Sequence, residues 1–243
     1  LRIVFLTAST ILALATLACQ TRRECQKPGQ QPPRTAAILG DSRMFDPVAR
    51  NFGGFTNYLN ARPEQNAFKE TRFIYEDNDP MTVSNVPGSD AYCSVANTAL
   101  LARANSARVF PAPHDGLILS VGVNSTGDPP GSIDAMNYIT QTARSKGWIV
   151  FITTIGPWKS YETWAPFYQK GTEQINEWIR SSQAQGNIVI DSYRILEDRT
   201  NPGSMPPDYT LDGLHYSALG HTMIADETNR LMSRARECQD PLP

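Results

Sequence analysis

Residues Ala36–Asp46 read AAILGDSRMFD. An apolar run climbs to Gly-Asp-Ser and then changes at once to a pattern that fits a helix. A strand that ends in a turn and feeds a helix is the elementary step of an α/β fold. Ser42, on that turn, has two readings. Ser and Asp are preferred at helix N-termini, where their side chains accept from the first free amides. A serine presented there can equally be a nucleophile, provided the chain also supplies a base and an oxyanion site.

Working outward from this turn, strand-like and helix-like segments alternate. TAAILG (Thr35–Gly40), RFIYED (Arg72–Asp77), GLILSVGV (Gly116–Val123), WIVFITTIG (Trp148–Gly156) and NIVIDSY (Asn187–Tyr193) are apolar runs carrying β-branched or aromatic residues. Ile133, Met136, Ile139 and Ala143 recur at helical spacing before Lys146-Gly147, a helix stop. A last helix, from Tyr216 to about Arg236, places Leu219, Met223, Ile224 and Leu231 toward one side. The alternation predicts a mostly parallel five-stranded sheet with right-handed crossovers and helices on both faces. Ligands of such sheets bind beyond the carboxyl ends of the strands.

The strand exits carry matching chemistry. Gly40-Asp41-Ser42 follows the first, and TVSNVPGSDAY, with Gly88 at a turn, follows the second. The third ends in SVGVNST, with Asn124 at its tip. After the fifth comes DYTLDGLHYSALGH, where Asp212 and His215 lie three residues apart just before the last helix. A serine hydroxyl attacks an acyl carbon only when a base takes its proton, and His215 suits that task. Asp212 can accept from the other ring nitrogen and stabilise the imidazolium. The amides of Ser42 and Gly88 and the side-chain amide of Asn124 would meet the developing oxyanion.

Taken together, Gly-Asp-Ser, Gly88, Gly-Val-Asn and Asp-Gly-Leu-His resemble the four blocks of the SGNH (GDSL-like) hydrolases. The likeness runs from about Thr35 to Arg236. It implies Ser42 as nucleophile, His215 as base and Asp212 as its orienter, with Ser42, Gly88 and Asn124 as the oxyanion hole. It implies a three-layer α/β/α flavodoxin-like fold and hydrolysis of esters or thioesters. Arg43 stands where the family name has Leu, and Ser125 where Asp often follows the Asn. Neither position carries assigned chemistry, so both bear on the choice of substrate.

Other residues have weaker claims. The fourth strand empties into GPWKSYETWAPFY, in which Trp158, Tyr161, Trp164, Phe167 and Tyr168 either line a site mouth or pack the next helix onto the sheet. Trp158, directly at the strand exit, is the best of them for substrate contact. Arg43 either faces an anionic substrate or pairs with a neighbouring acid. His114 and His221 are read as structural or exposed. Asn124 also opens a glycosylation sequon, a coincidence if the residue serves a site.

Composition bounds the rest. A hydrophobic fraction of 40% with 19% charge over 243 residues is globular and allows one sizeable core. A formal charge of -2 gives no sign of a nucleic-acid partner. The three histidines lack helix-face ligand spacing and the four cysteines are scattered, so no metal is expected, and the motifs of P-loop and dinucleotide-binding proteins are missing, so no organic cofactor is expected either. Residues 1–19, LRIVFLTASTILALATLAC, have the shape of a secretory signal. TLAC resembles a lipoprotein cleavage box that would leave lipid on Cys19 as a membrane anchor, although Thr16 replaces the usual Leu. Cleavage after Ala15 or Ala18 is the competing reading. Residues 20–34, rich in Gln and Pro, read as a linker, and residues 35–243 as the hydrolase domain. The first strand starts, and the last helix ends, opposite the predicted site. Cys25 and Cys238 are therefore expected to form a disulfide, with Cys93 a buried thiol. The expectation is an exported, monomeric serine esterase acting on a short acyl group, such as acetyl, of a carbohydrate or other polar alcohol. An acyltransferase, a lysophospholipase or thioesterase, and a non-catalytic envelope-binding domain are the alternatives.

Overall fold

The computed structural model describes residues 35–46, 51–52, 58–59, 72–75 and 115–237. Gly88, His114 and all four cysteines lie outside these residues, as do the signal and linker segments. The strands of the main sheet are β1 (Thr35–Gly40), β4 (Arg72–Tyr75), β5 (Gly116–Ser120), β6 (Ile149–Thr153) and β7 (Ile188–Ile190). All five expected runs form strands, and every pairing between them is parallel. Their spatial order, β4-β1-β5-β6-β7, is second, first, third, fourth, fifth along the chain. This is the flavodoxin-like order, and its reversal lies between β1 and β5. Gly40 and Ser120 are register partners, so the turns that follow these two strands leave the sheet side by side.

The structure departs from the expected first helix. After β1 comes a single 3₁₀ turn, Ser42–Met44, and then β2 (Phe45–Asp46), paired antiparallel with β3 (Asn51–Phe52). Pro47 supplies the reason. A proline disfavours helical backbone in the residue before it, which sends Asp46 into extended conformation.

Among the described residues after β5 lie four α-helices: α1 (Pro129–Ser145), α2 (Pro166–Ser181), α3 (Ser192–Leu196) and α4 (Ala218–Glu237). Asp128 caps α1 by accepting from the Gly131 amide at 3.1 Å, with prolines at the first two helical positions. α4 is capped by Ser217, whose hydroxyl accepts from the Gly220 amide at 3.2 Å. Its buried residues include His221, Ile224, Ala225, Thr228, Asn229 and Met232. Leu219, expected on that side, is 45% exposed. Hydropathy alone overlooks an imidazole and a hydroxyl that face inward, and so tilts the predicted stripe.

Alternation along the strands divides the core in two. Ala37, Leu39, Leu117, Leu119, Val150 and Ile152 pack with α1 and α2. Ala36, Ile38, Ile118 and Phe151 face the other way, toward Met44, Leu196, Ile224 and Met232. These are the two outer layers that the alternation of strands and helices predicts.

Candidate active site

Ser42 opens the 3₁₀ turn at the carboxyl end of β1. The turn is built by Asp41. Its amide donates to the Ser120 carbonyl at 3.1 Å, extending the pairing of β1 with β5 by one step. Its carbonyl accepts from the Met44 amide at 3.0 Å, and its side chain accepts from the Arg43 amide at 3.1 Å. The same carboxyl accepts from the Val123 amide, so one buried side chain joins the serine turn to the turn after β5. That second turn is another 3₁₀ turn, Val123–Ser125, with half-buried Asn124 at its centre. Burial pushes the Asp41 carboxyl up, against the opposing pull of the Arg43 charge, the amide bonds and the His215 charge. The last of these places His215 within electrostatic reach of the serine turn.

The Asp212–His215 loop is closed on itself. One Asp212 oxygen accepts from the amides of Leu214 at 2.9 Å and His215 at 2.8 Å. The other lies 2.7 Å from His215 Nδ1. Burial pushes this carboxyl up, but the His215 ring and the two amides outweigh it and hold it at about 2. An ionised carboxylate only accepts, so Nδ1 carries the hydrogen that faces Asp212. The Thr210 hydroxyl donates to the His215 carbonyl at 2.8 Å and accepts from the Gly213 amide at 2.8 Å. Gly213 sits at φ 92°, and a Cβ there would come within 2.6 Å of the Ser160 backbone. The loop therefore rests directly on residues 160–161, and glycine is required on both counts. Tyr161 adds an edge-to-face contact with the His215 ring at 6.5 Å between centroids.

The two substrate-contact expectations are corrected by burial. Arg43 is 3% exposed and points inward, donating to the Tyr216 hydroxyl at 3.1 Å and the Gly156 carbonyl at 3.2 Å. Trp158 is 5% exposed, with its indole N–H on the Thr172 hydroxyl at 2.9 Å. It packs α2 onto the sheet, the other reading of the aromatic run. Phe167 is 63% exposed at the start of α2. His221 is buried, stacked on Tyr58 at 5.3 Å between centroids. Among the described residues no group of His, Cys, Asp or Glu side chains could hold a metal ion.

The arrangement thus gathers the Ser42 backbone, Asn124, His215 and Asp212 at one end of the sheet. Sequence reasoning missed Tyr216 and the bridging role of Asp41. Gly-Asp-Ser marked Asp41 only as a turn residue, and nothing local to Tyr216 betrays a partner so distant in the chain.

Compared with known protein families, residues 38–223 match the GDSL-like Lipase/Acylhydrolase family. No curated protein sequence matches the chain. Solved structures that share the fold include a GDSL-like lipase from Bacteroides thetaiotaomicron VPI-5482, 14% identical, with a TM-score of 0.55 over 91% of this chain and 97% of that one. An alpha/beta hydrolase enzyme from the metagenome of Lake Arreo, Spain, is 14% identical, with a TM-score of 0.58 over 89% of this chain and 99% of that one. A catalytic mutant of an acetylxylan esterase from Geobacillus stearothermophilus is 14% identical, with a TM-score of 0.56 over 85% of this chain and 95% of that one.

Proposed function

The chain belongs to the GDSL-like lipase/acylhydrolase family and is an ester-bond hydrolase, and from that premise we propose that it is a serine esterase with Ser42, His215 and Asp212 as its triad. The Ser42 hydroxyl attacks the acyl carbon while His215 Nε2 takes its proton. Asp212 stays ionised and stabilises the imidazolium. The oxyanion is met by the Ser42 and Gly88 amides and the Asn124 side chain, each such donor being worth on the order of 10²–10³ in turnover. The tetrahedral adduct collapses, and His215 returns its proton to the departing alkoxide. Water then enters by the same route in reverse and frees the acid.

The observation that carries this reading is the 2.7 Å contact between Asp212 and His215 Nδ1, on a loop within electrostatic reach of the serine turn. The substrate is a short acyl ester, such as an acetyl group on a carbohydrate. The aromatic contact of Tyr161 with His215 favours this. So does the likeness to a structure described as an acetylxylan esterase. Export rests on the apolar opening of the chain, with Cys19 as the lipid-bearing residue.

The test compares hydrolysis of p-nitrophenyl acetate, butyrate and octanoate by the wild type, Ser42→Ala and His215→Ala. Wild type should prefer the short esters, and each variant should lose at least about 10³-fold in kcat. A serine-reactive fluorophosphonate should label Ser42 in the wild type alone. Turnover that survives Ser42→Ala would sink the nucleophile assignment.

A further inference from the structure

Arg43 follows the nucleophile directly, and its guanidinium is buried. Burying a cation is costly even when it is paired, and apolar packing of the same volume is commonly as stable or more so. The arginine therefore calls for an explanation beyond the stability of the core. Its bonds offer one. Nη1 donates to the Tyr216 hydroxyl at 3.1 Å, and Nη2 donates to the Gly156 carbonyl at 3.2 Å. The Arg43 amide is itself tied to Asp41 at 3.1 Å, so both ends of the residue are held.

Tyr216 is held as closely. It is buried, and its hydroxyl also contacts Ser192, whose own hydroxyl donates to the Thr154 carbonyl. The guanidinium thus donates to Tyr216, and the Ser192 hydroxyl to the Thr154 carbonyl. Gly156 leaves the room this requires, because a Cβ there would stand 2.7 Å from the Tyr216 hydroxyl. Backbone pairing fixes the other side of Tyr216, which bridges antiparallel to Thr210.

The geometry follows from the order of residues. Ser42 precedes Arg43, and His215 precedes Tyr216. Leu214 and Tyr216 are buried and His215 between them is partly exposed, so seating Tyr216 inward sets the height and aim of the imidazole. We propose that Arg43 is a positioning residue, which through the Tyr216 hydroxyl holds His215 at its working distance from Ser42. This rests on the serine-esterase reading above.

The experiment measures p-nitrophenyl acetate hydrolysis by the full chain for the wild type, Arg43→Met, Arg43→Lys, Tyr216→Phe and the Arg43→Met/Tyr216→Phe double variant. Thermal unfolding runs alongside, and rates are counted per folded molecule. A misplacement on the order of 1 Å costs roughly 10²-fold. Arg43→Met should therefore lose about 10- to 100-fold in kcat with KM within about twofold. Tyr216→Phe removes one oxygen and should lose kcat in the same way. The double variant should be no worse than the poorer single, because both break one link. Arg43→Lys keeps the charge but not the planar fork, and should restore little.

Three results would overturn the inference. One is an Arg43→Met variant with a lowered melting temperature but kcat within about twofold, which leaves only a packing role. Another is losses that multiply in the double variant, so that Arg43 does not act through Tyr216. Full activity in Tyr216→Phe refutes it even if Arg43→Met does not fold. A wild type inert on every ester is a separate failure, of the esterase reading and so of this one with it.

Discussion

On the face of the sheet covered by α1 and α2, buried polar groups serve their neighbours' backbone. Asn176 accepts from the Ile155 amide at 2.7 Å and donates to the Ile155 carbonyl at 2.8 Å, and the Trp158 indole finds Thr172. Around them is hydrocarbon, from Leu117 and Ile152 to Met136 and Ile179. The opposite face also has an apolar floor, with Ile38, Ile118 and Phe151. Above that floor, however, it buries a guanidinium, a phenol and an imidazole, those of Arg43, Tyr216 and His221. Both faces are well packed, so packing alone does not mark the working side. Ionisable groups taken out of water mark it, because they are costly unless each is answered by a partner. The first face secures the fold, while the second spends part of that stability on holding polar groups in place.

The largest effect that would test this division comes from Asp212→Asn. An amide cannot stabilise the imidazolium and favours the wrong tautomer of His215. Turnover should fall on the order of 10³–10⁴-fold, about 4–5 kcal/mol, with the melting temperature little changed. A variant with near-normal kcat would show that the 2.7 Å contact is not part of the chemistry. On the first face the balance should reverse. Ile152→Ala should cost roughly 2–5 kcal/mol of stability in denaturant titrations, while kcat per folded molecule stays unchanged. A drop in kcat there would mean that the faces are not separable.

The smallest effect is in acid. The Asp212 carboxyl is held at about 2 against an ordinary 3.8. Its contribution to stability is present above about pH 4 and is lost as pH falls toward 2. The stability gap between wild type and Asp212→Asn should therefore narrow over that range. Solvent screening of a side chain that is 42% exposed limits the change to roughly 1 kcal/mol. A gap that is constant between pH 4 and pH 2 would mean that the carboxyl is not held down.

The same division governs how far the chain could be read. The strands and the apolar side of α1 are legible because burial on the first face is a matter of hydrophobicity at a regular period. Asp212 and His215 are legible because their contact is local, three residues apart. The orientation of Arg43 and Trp158 is not legible, since residue type cannot tell whether a side chain at a strand exit turns out or in. The tilted stripe on α4 has the same origin, a buried His221 and Thr228 where hydropathy sees polar residues. Tyr216 could not have been found at all. Its partner is 173 positions away, and no periodicity links them.

That span has a consequence for the order of events in folding. Closing a loop of this length costs entropy that no local contact repays, so links between the ends of the domain form late. Strands β5, β6 and β7 with α1 and α2 are neighbours in sequence and can assemble among themselves. The base and its carboxylate arrive on the last segment of the domain, after the sheet they stand on has been made. A chain still emerging from the ribosome carries its serine from early on, but it has nothing yet with which to deprotonate it.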